Sequence, residues 1–164
     1  MRKALAAVIG AVSVTAALGG ASLAAASARP AVSGTEHFQL MNNSPTSKTS
    51  SIIATGVFTG GGTSTATSST TAIVTFPSGT FVITHSKGTG THSFNPKTCR
   101  FNGNLKGTYT LGRGTGAYAN LSGSGTYQAS ILGVGAKSGG RCSMKLPPAA
   151  SQQLIRASGP VSLR

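Results

Sequence analysis

The sequence has almost no acidic side chains, and this excludes several classes of catalytic site. Its 164 residues contain one acidic residue in total, Glu36, and no Asp. Paired carboxylates for glycoside hydrolysis cannot be assembled from such a chain, and calcium or magnesium sites lack their preferred oxygen ligands. A Ser-His-acid triad would have to use Glu36, which the sequence places in a flexible tail. The sequence therefore predicts no catalytic residue, no metal site and no cofactor.

Because acids are so few, the chain is strongly basic. Lys and Arg number 14, and the formal net charge is +13. After Lys3 the basic residues are scattered singly, whereas a nucleic-acid site clusters them on one face among aromatics. No nucleic-acid partner is predicted. The positive charge favours a loose attraction to anionic cell-envelope polymers, since a long-range field needs no motif. The alternative is that the charge only keeps the protein soluble.

The N-terminus has the pattern of an export signal. Residues 1–3 are basic at positions 2 and 3, residues 4 to about 23 are small and apolar, and Ala26-Ser27-Ala28 fits the small-x-small cleavage rule. The apolar run is nearly long enough to span a membrane, but the cleavage site and the lack of a following charge cluster favour a signal peptide. We predict a signal peptide at 1–28, a flexible tail at 29–36 and one domain at 37–164. The protein would be secreted and extracellular, and would not span a membrane after cleavage.

The sequence has two cysteines, Cys99 and Cys142. An even number of cysteines in an exported chain usually forms disulfides. A metal site or a catalytic thiol would need partners at suitable spacing, which the sequence does not offer. We therefore predict a structural Cys99–Cys142 bridge.

Alternating polarity predicts strands. From 101 to 111 the odd positions are Phe, Gly, Leu, Gly, Tyr and Leu, and the even positions are polar, as in a half-buried strand. Tyr127, Ala129 and Ile131 form a second inward row. In the glycine-rich connection between the two rows, Tyr118 and Leu121 could form one helical turn that plugs an open end. The whole chain predicts an all-β fold, a small antiparallel β-barrel of about eight strands or a sandwich.

A hairpin at 71–86 places one histidine inside. If Phe76 pairs with Phe81, His85 shares their inward face, because paired residues lie on the same side of a sheet. The following segment puts His92 on the same face as Phe94. Two histidines would then face the interior.

Four segments carry a family resemblance: GTFVITHS at 79–86, SFNPKTC at 93–99, GTYTLGRGTGAYANLSGSGTY at 107–127 and ASGPVSL at 157–163. Together they resemble a group of small exported actinobacterial proteins of unassigned function. The run GTGAYANLSGSG at 114–125 is also similar to a turn of allene-oxide-cyclase-like and dirigent-like barrels. The resemblance implies a calycin-like, eight-stranded antiparallel barrel with a cavity for one small ligand. Those barrels rely on carboxylates that this chain does not offer, so the resemblance implies no activity.

Two weaker patterns are interpreted as structural. Residues 112–117 match GxGxxA, but no βαβ unit and no following acid accompany the match. His37, His85 and His92 could bind zinc or copper if they converged. Isolated histidines in strands are more often packing or surface residues, so no metal is predicted.

Three functional hypotheses remain. The first is a barrel that binds a small apolar ligand, and the second is a surface-associated structural protein that contacts anionic envelope polymers. The third is an isomerase or cyclase that works by shape and a histidine. A cavity of a few hundred Å³ would favour the first hypothesis, and a filled interior the second. The residues predicted to line the interior and contact a ligand are Phe76, Phe81, Ile83, His85, His92, Phe101, Tyr109 and Tyr127.

Overall fold

The computed structural model of the protein describes residues 31–44, 46–143 and 145–164. The signal peptide and its cleavage site, predicted at 1–28, lie outside the described residues. The described chain forms eleven strands and one short 3₁₀ turn. The strands are β1 (Val32–Asn42), β2 (Thr49–Thr55), β3 (Gly60–Ala66), β4 (Thr71–Phe76), β5 (Gly79–His85), β6 (Thr89–Asn95), β7 (Arg100–Gly112), β8 (Ser122–Val134), β9 (Lys137–Ser138), β10 (Arg141–Cys142) and β11 (Ala150–Leu163).

Eight of these strands close into an antiparallel barrel, which confirms the predicted fold class. The order around the barrel is β1-β2-β3-β4-β5-β7-β8-β11, and β11 pairs back onto β1. The barrel closes through β5, which pairs with the second half of β7 from Val82↔Gly112 to His85↔Tyr109. In the part of the chain that the structure describes, no helix is long and apolar enough to cross a membrane.

Strand β6 leaves the barrel. It pairs with the first half of β7, from Thr89↔Lys106 to Asn95↔Arg100, while β5 pairs with the second half of the same strand. Strand β7 therefore has two successive partners along one edge. Strand β6, the first half of β7 and the last part of β8 form a ribbon that extends beyond the barrel wall.

The alternation predicted for β7 and β8 is confirmed. Along β7 the even positions from 100 to 110 are exposed and the odd positions are partly or fully buried, with Tyr109 and Leu111 buried. Along β8 the inward row includes the buried Ala129. Both strands therefore present one face to the interior and one to solvent, as a closed antiparallel barrel requires.

The β4–β5 hairpin keeps the predicted faces with a different register. Phe76 pairs with Gly79, and Val74 with Phe81, so the loop is the two residues Pro77-Ser78. The sequence predicted Phe76 opposite Phe81, which differs by two residues along one strand. A shift of two preserves the inward face, whereas a shift of one reverses it. His85 therefore still lies on the interior side.

The predicted flexible tail at 29–36 is wrong for residues 32–36. Strand β1 begins at Val32 and pairs with the far end of the chain, from Val32↔Leu163 to Asn42↔Gln153. Glu36 is fully buried, with 0% of its surface exposed. Local composition suggested a mobile segment, but pairing with a strand more than a hundred residues away orders it.

One end of the barrel is closed and solidly packed. The 3₁₀ turn Gly116–Tyr118 lies across it, and Tyr118 and Leu121 are both buried there, as the sequence predicted for a plug. Phe58, from the loop between β2 and β3, packs its ring 5.1 Å from that of Tyr118, measured between ring centroids. Phe38, Phe76 and Phe81 complete this aromatic cluster. We call this the closed end.

The predicted disulfide is confirmed. Cys99 and Cys142 are bonded, with their Cα atoms 5.3 Å apart and a sequence separation of 43. The bridge ties the turn between β6 and β7 to the short β9–β10 hairpin. It lies in the ribbon outside the barrel and not in the barrel wall.

Candidate ligand cavity

The half of the barrel opposite the closed end is hollow. A cavity of about 550 Å³ lies between the inner faces of the strands, with Phe38 and Tyr109 at its inner limit. Loop residues of the β1–β2, β3–β4 and β5–β6 connections also line it, so it opens at that end, which we call the mouth. Its volume falls within the usual range of about 300–1,000 Å³ for small-molecule sites.

The cavity walls are mainly apolar. They are built by inward-facing positions of β1, β4, β5, β7, β8 and β11, where the strand alternation turns mainly small or aliphatic side chains to the interior. The apolar wall residues are Phe38, Leu40, Ala72, Ile83, Leu105, Tyr109, Ala129, Ile155 and Ala157. Such a surface favours an apolar ligand, because burying apolar area contributes about 25 cal/mol per Å².

The mouth is polar and positively charged. Serines from the β1–β2 and β3–β4 connections, Asn42 and Gln153 surround it, together with Lys48 and Lys87. Both lysines are exposed. Among the residues that line the cavity, none is acidic. A ligand with an apolar body and a polar end directed to the mouth would match this distribution.

His85 is held at the cavity wall by a fixed hydrogen-bond arrangement. Its Nδ1 lies 2.9 Å from the carbonyl oxygen of Ser86, and Tyr127 OH donates to the same oxygen at 3.0 Å. A carbonyl oxygen can only accept, so Nδ1 carries the proton and Nε2 of a neutral ring is the acceptor. The His85 and Tyr127 rings pack edge to face with centroids 5.7 Å apart.

A glycine makes room for this arrangement. A Cβ atom at Gly107 would lie 2.5 Å from Cε1 of Tyr127 and 2.6 Å from Oγ of Ser86. Thr108 donates its backbone N–H to the same Ser86 Oγ at 2.9 Å. The small residue on the inner face of β7 therefore lets the Tyr127 ring lie across the wall and orient His85.

Two buried oxygens lie between the cavity and the closed end. Glu36 Oε1 and Tyr109 OH have no hydrogen-bond partner among the described residues. The backbone N–H of Phe58 donates to the other carboxylate oxygen, Glu36 Oε2, at 3.1 Å. Glu36 therefore fixes the loop that carries Phe58 into the aromatic cluster, which is a structural role for the single acidic residue.

The buried position changes the acidity of both groups. Burial raises the pKa of Glu36 above its usual 4.5, although the hydrogen bond from Phe58 acts in the opposite direction. Burial, and then the negative charge of Glu36, raise the pKa of Tyr109 from 10.0 to about 12. At neutral pH Tyr109 is therefore a neutral phenol at the inner limit of the cavity.

The predicted interior residues separate into three groups. Ile83, His85, Tyr109 and Tyr127 line the cavity. Phe76 and Phe81 face inward but belong to the aromatic cluster of the closed end, with 4% and 0% of their surfaces exposed. That any of these residues contacts a ligand stays a prediction.

The other two predicted residues lie away from the cavity. Phe101 is half-buried on the ribbon, where its ring covers Gly133. His92 is exposed on β6, so its predicted interior position is wrong. His92 pairs with Gly103 and lies on the same face of the sheet as Phe94, as predicted. Because β6 lies outside the barrel, this face is exposed to solvent.

Sequence reasoning missed several wall residues. Leu40, Leu105 and Ile155 line the cavity, as do the mouth residues Lys48 and Lys87. The alternation around Leu40 and Leu105 was a usable signal for the wall. Nothing local identifies the lysines as mouth residues, because their position depends on how the barrel closes.

The structure does not bring the three histidines together. His37 is exposed on β1, His85 lies at the cavity wall and His92 is on β6. The described residues contain no group of three or more His, Cys, Asp or Glu side chains arranged to hold a metal ion.

Comparison of the chain with protein-family models, with curated proteins and with solved structures finds no match. The closed eight-stranded antiparallel barrel is compatible with the calycin-like architecture that the resemblance implied. Membership of the exported actinobacterial group stays a prediction. The functional interpretation therefore depends on the cavity and the surface of this chain.

Proposed function

We propose that this protein is a secreted, non-catalytic barrel that binds one small apolar ligand. The observation that carries the proposal is the cavity of about 550 Å³ in an otherwise well-packed barrel. A side-chain-filled barrel of this size has no need for such a space. The apolar walls would hold the body of the ligand, and the polar mouth would leave its other end in contact with water.

The proposal assigns binding and not turnover to the site. The cavity lining includes no carboxylate, and the carboxylate of Glu36 is fully buried and engaged with the backbone of Phe58. His85 supplies the imidazole of the cavity wall. Its Nε2 can accept one hydrogen bond from a ligand hydroxyl or amide, which would orient the ligand.

A cavity-filling variant tests the proposal. In Ala129→Leu the larger side chain would extend from a wall position that is 4% exposed into the cavity. We expect at least a tenfold loss of affinity for an apolar fluorescent probe, because the added atoms occupy the ligand volume. The matched control is Ala150→Leu, which makes the same change at an exposed position on β11.

Native mass spectrometry supplies the unbiased readout. Protein purified from its own source should carry a defined extra mass that disappears on denaturation, and Ala129→Leu should carry less of it than Ala150→Leu. If the wild-type protein shows a bare mass and takes up no member of a lipid and small-aromatic library, the binding proposal is wrong.

The second hypothesis, contact with anionic envelope polymers, is favoured by one observation. Basic residues that are scattered in sequence lie together on the ribbon beyond the mouth.

A further inference from the structure

The ribbon beyond the barrel ends in a compact, cross-linked structure, which we call the disulfide tip. It comprises residues 94–100, 134–143 and 145–149. The Cys99–Cys142 bridge joins the first of these segments to the second. The N–H of Gly135 donates to the carbonyl of Cys99 at 2.8 Å, and that of Ala149 donates to the carbonyl of Val134 at 2.9 Å. The tip is therefore tied together covalently and by backbone hydrogen bonds.

The disulfide tip concentrates positive charge. It contains five of the eleven Lys and Arg residues in the described chain, and all five are exposed. They are Lys97, Arg100, Lys137, Arg141 and Lys145. The single acidic side chain of the sequence, Glu36, is buried near the closed end, so no Asp or Glu can neutralise these cations. The result is a local positive field that the sequence pattern did not reveal.

The same tip exposes large apolar side chains. Phe94, Val134 and Leu146 are 36%, 40% and 47% exposed. Phe94 pairs with Phe101 and Val134 pairs with Arg100, so the two project from opposite faces of the ribbon. The tip therefore exposes apolar side chains on both of its faces, and Arg100 lies beside Val134 on one of them.

This combination distinguishes between anionic partners. A soluble anionic polymer would be attracted by the cations alone. A lipid surface also accommodates apolar side chains below its head groups, and anionic lipids attract basic residues with about 1 kcal/mol for each Lys or Arg near the surface. The exposed apolar residues therefore favour a lipid surface over a polymer.

We propose that the disulfide tip docks onto an anionic lipid surface. Phe94 and Leu146 enter the head-group layer, and the surrounding basic side chains contact lipid phosphates. This interaction is separate from ligand binding in the barrel, because none of the cavity-lining residues belongs to the tip.

Charge variants with equal net charge provide the first test. The tip variant is Lys97→Gln, Lys137→Gln, Lys145→Gln, and its control is Lys106→Gln, Arg113→Gln, Arg156→Gln, which removes three exposed charges from elsewhere. Binding of the full chain to phosphatidylglycerol–phosphatidylcholine vesicles is measured by flotation. Every variant has the same N-terminal segment, so differences report the substituted residues. We expect the tip variant to lose about a hundredfold in affinity and the control no more than about threefold.

Apolar variants decide between a lipid and a polymer. The tip variant is Phe94→Ser, Leu146→Ser, and its control is Ile53→Ser, Ile73→Ser, at barrel positions that are 55% and 40% exposed. At high salt, where charge attraction is screened, the tip variant should lose at least tenfold in vesicle affinity and the control little. Thermal unfolding and intact mass confirm that each variant is folded and bridged.

Three results would overturn the proposal. Equal losses in the two charge variants would mean that net charge, and not the tip, drives binding. Equal binding of the wild-type protein to pure phosphatidylcholine vesicles would remove the role of anionic lipid. Vesicle binding unaffected by Phe94→Ser, Leu146→Ser would make an anionic polymer the better partner.

Discussion

Replacement of Glu36 by Gln should remove an unusual dependence of stability on pH. Most proteins lose stability in acid because many carboxylates that are paired in the folded state must accept protons. This chain has one acidic side chain, and burial raises its pKa above 4.5 in the folded state. The folded protein therefore holds the Glu36 proton more tightly than the unfolded protein does. Its contribution to stability is fully present below pH 4.5 and is lost as the pH rises through the raised pKa.

The effect of Glu36 on the pH dependence of stability is limited because only one carboxyl proton is involved. One carboxyl group changes the free energy of unfolding by at most about 1.4 kcal/mol per pH unit. Gln has nearly the same shape and can still accept the N–H of Phe58, but it has no charge to bury. Glu36→Gln should therefore be more stable than the wild-type protein at neutral pH. Below pH 4.5, where Glu36 is protonated, the two should become nearly equal.

Urea unfolding of both proteins from pH 3 to pH 8 measures this difference. The histidines, the chain terminus and the general positive charge are common to both, so they largely cancel in the comparison. The expected result is a gap between the two free energies of unfolding that narrows as the pH falls. A constant gap, or one that widens in acid, would refute a raised pKa for Glu36 and the buried environment that causes it.

Two further substitutions test the packing and the cross-link. Gly62→Ala should destabilise the barrel by about 1–3 kcal/mol, because its Cβ would overlap the backbone carbonyl oxygen of Thr75 and lie 2.7 Å from Cδ1 of Phe76. Gly61→Ala, with no atom within 4 Å of the added Cβ, should stay within about 0.5 kcal/mol of wild type. Equal losses in thermal unfolding of the two variants would show that backbone flexibility, and not the contacts with Thr75 and Phe76, sets the cost. Joint replacement of Cys99 and Cys142 by Ala should cost about 4 kcal/mol for the 43-residue separation. The barrel should still bind an apolar probe, and loss of probe binding from the folded variant would show that the tip supports the cavity.

Short-range patterns were sufficient to predict much of the barrel. The alternation at 101–111 identified β7 and its inward face, and the row through Ala129 identified β8. The spacing of Tyr118 and Leu121 identified the plug. Each of these signals lies within one element, where the period of the side chains is set by backbone geometry alone.

Contacts between residues far apart in sequence explain the features that local patterns did not predict. The sequence of strand β3, GGGTSTA, is equally compatible with a loop and with a polar edge strand. It lies inside the barrel wall because Phe76 of the adjacent strand fills the space above Gly60 and Gly62. Glu36 looked mobile because its partner, Gly159, is far away in sequence. Neither contact leaves a signal in the residues next to it.

The candidate site was predictable to the extent that it follows strand faces. The alternation of side chains along the strand placed His85 inside the barrel, although the predicted pairing register of the hairpin was wrong. Alternation could not distinguish Phe81, in the filled half of the barrel, from Ile83, in the hollow half. The boundary between the two halves depends on where Phe58 enters the barrel from a loop. Alternation also failed to predict the exposed position of His92, since β6 lies outside the barrel although it pairs with β7.

The relative position of the tip and the mouth connects the two proposals. Strand β7 runs from Arg100 in the disulfide tip, past Leu105 in the cavity wall, to Leu111 near the closed end. The five residue steps from Arg100 to Leu105 span about 17 Å, so the tip projects from the barrel on the side of the mouth. A protein docked through its tip would turn the mouth toward the lipid and the closed end toward water. An apolar molecule could then pass between the head-group layer and the cavity with little exposure to solvent, and the polar lining of the mouth, with Lys48 and Lys87, would face the anionic surface.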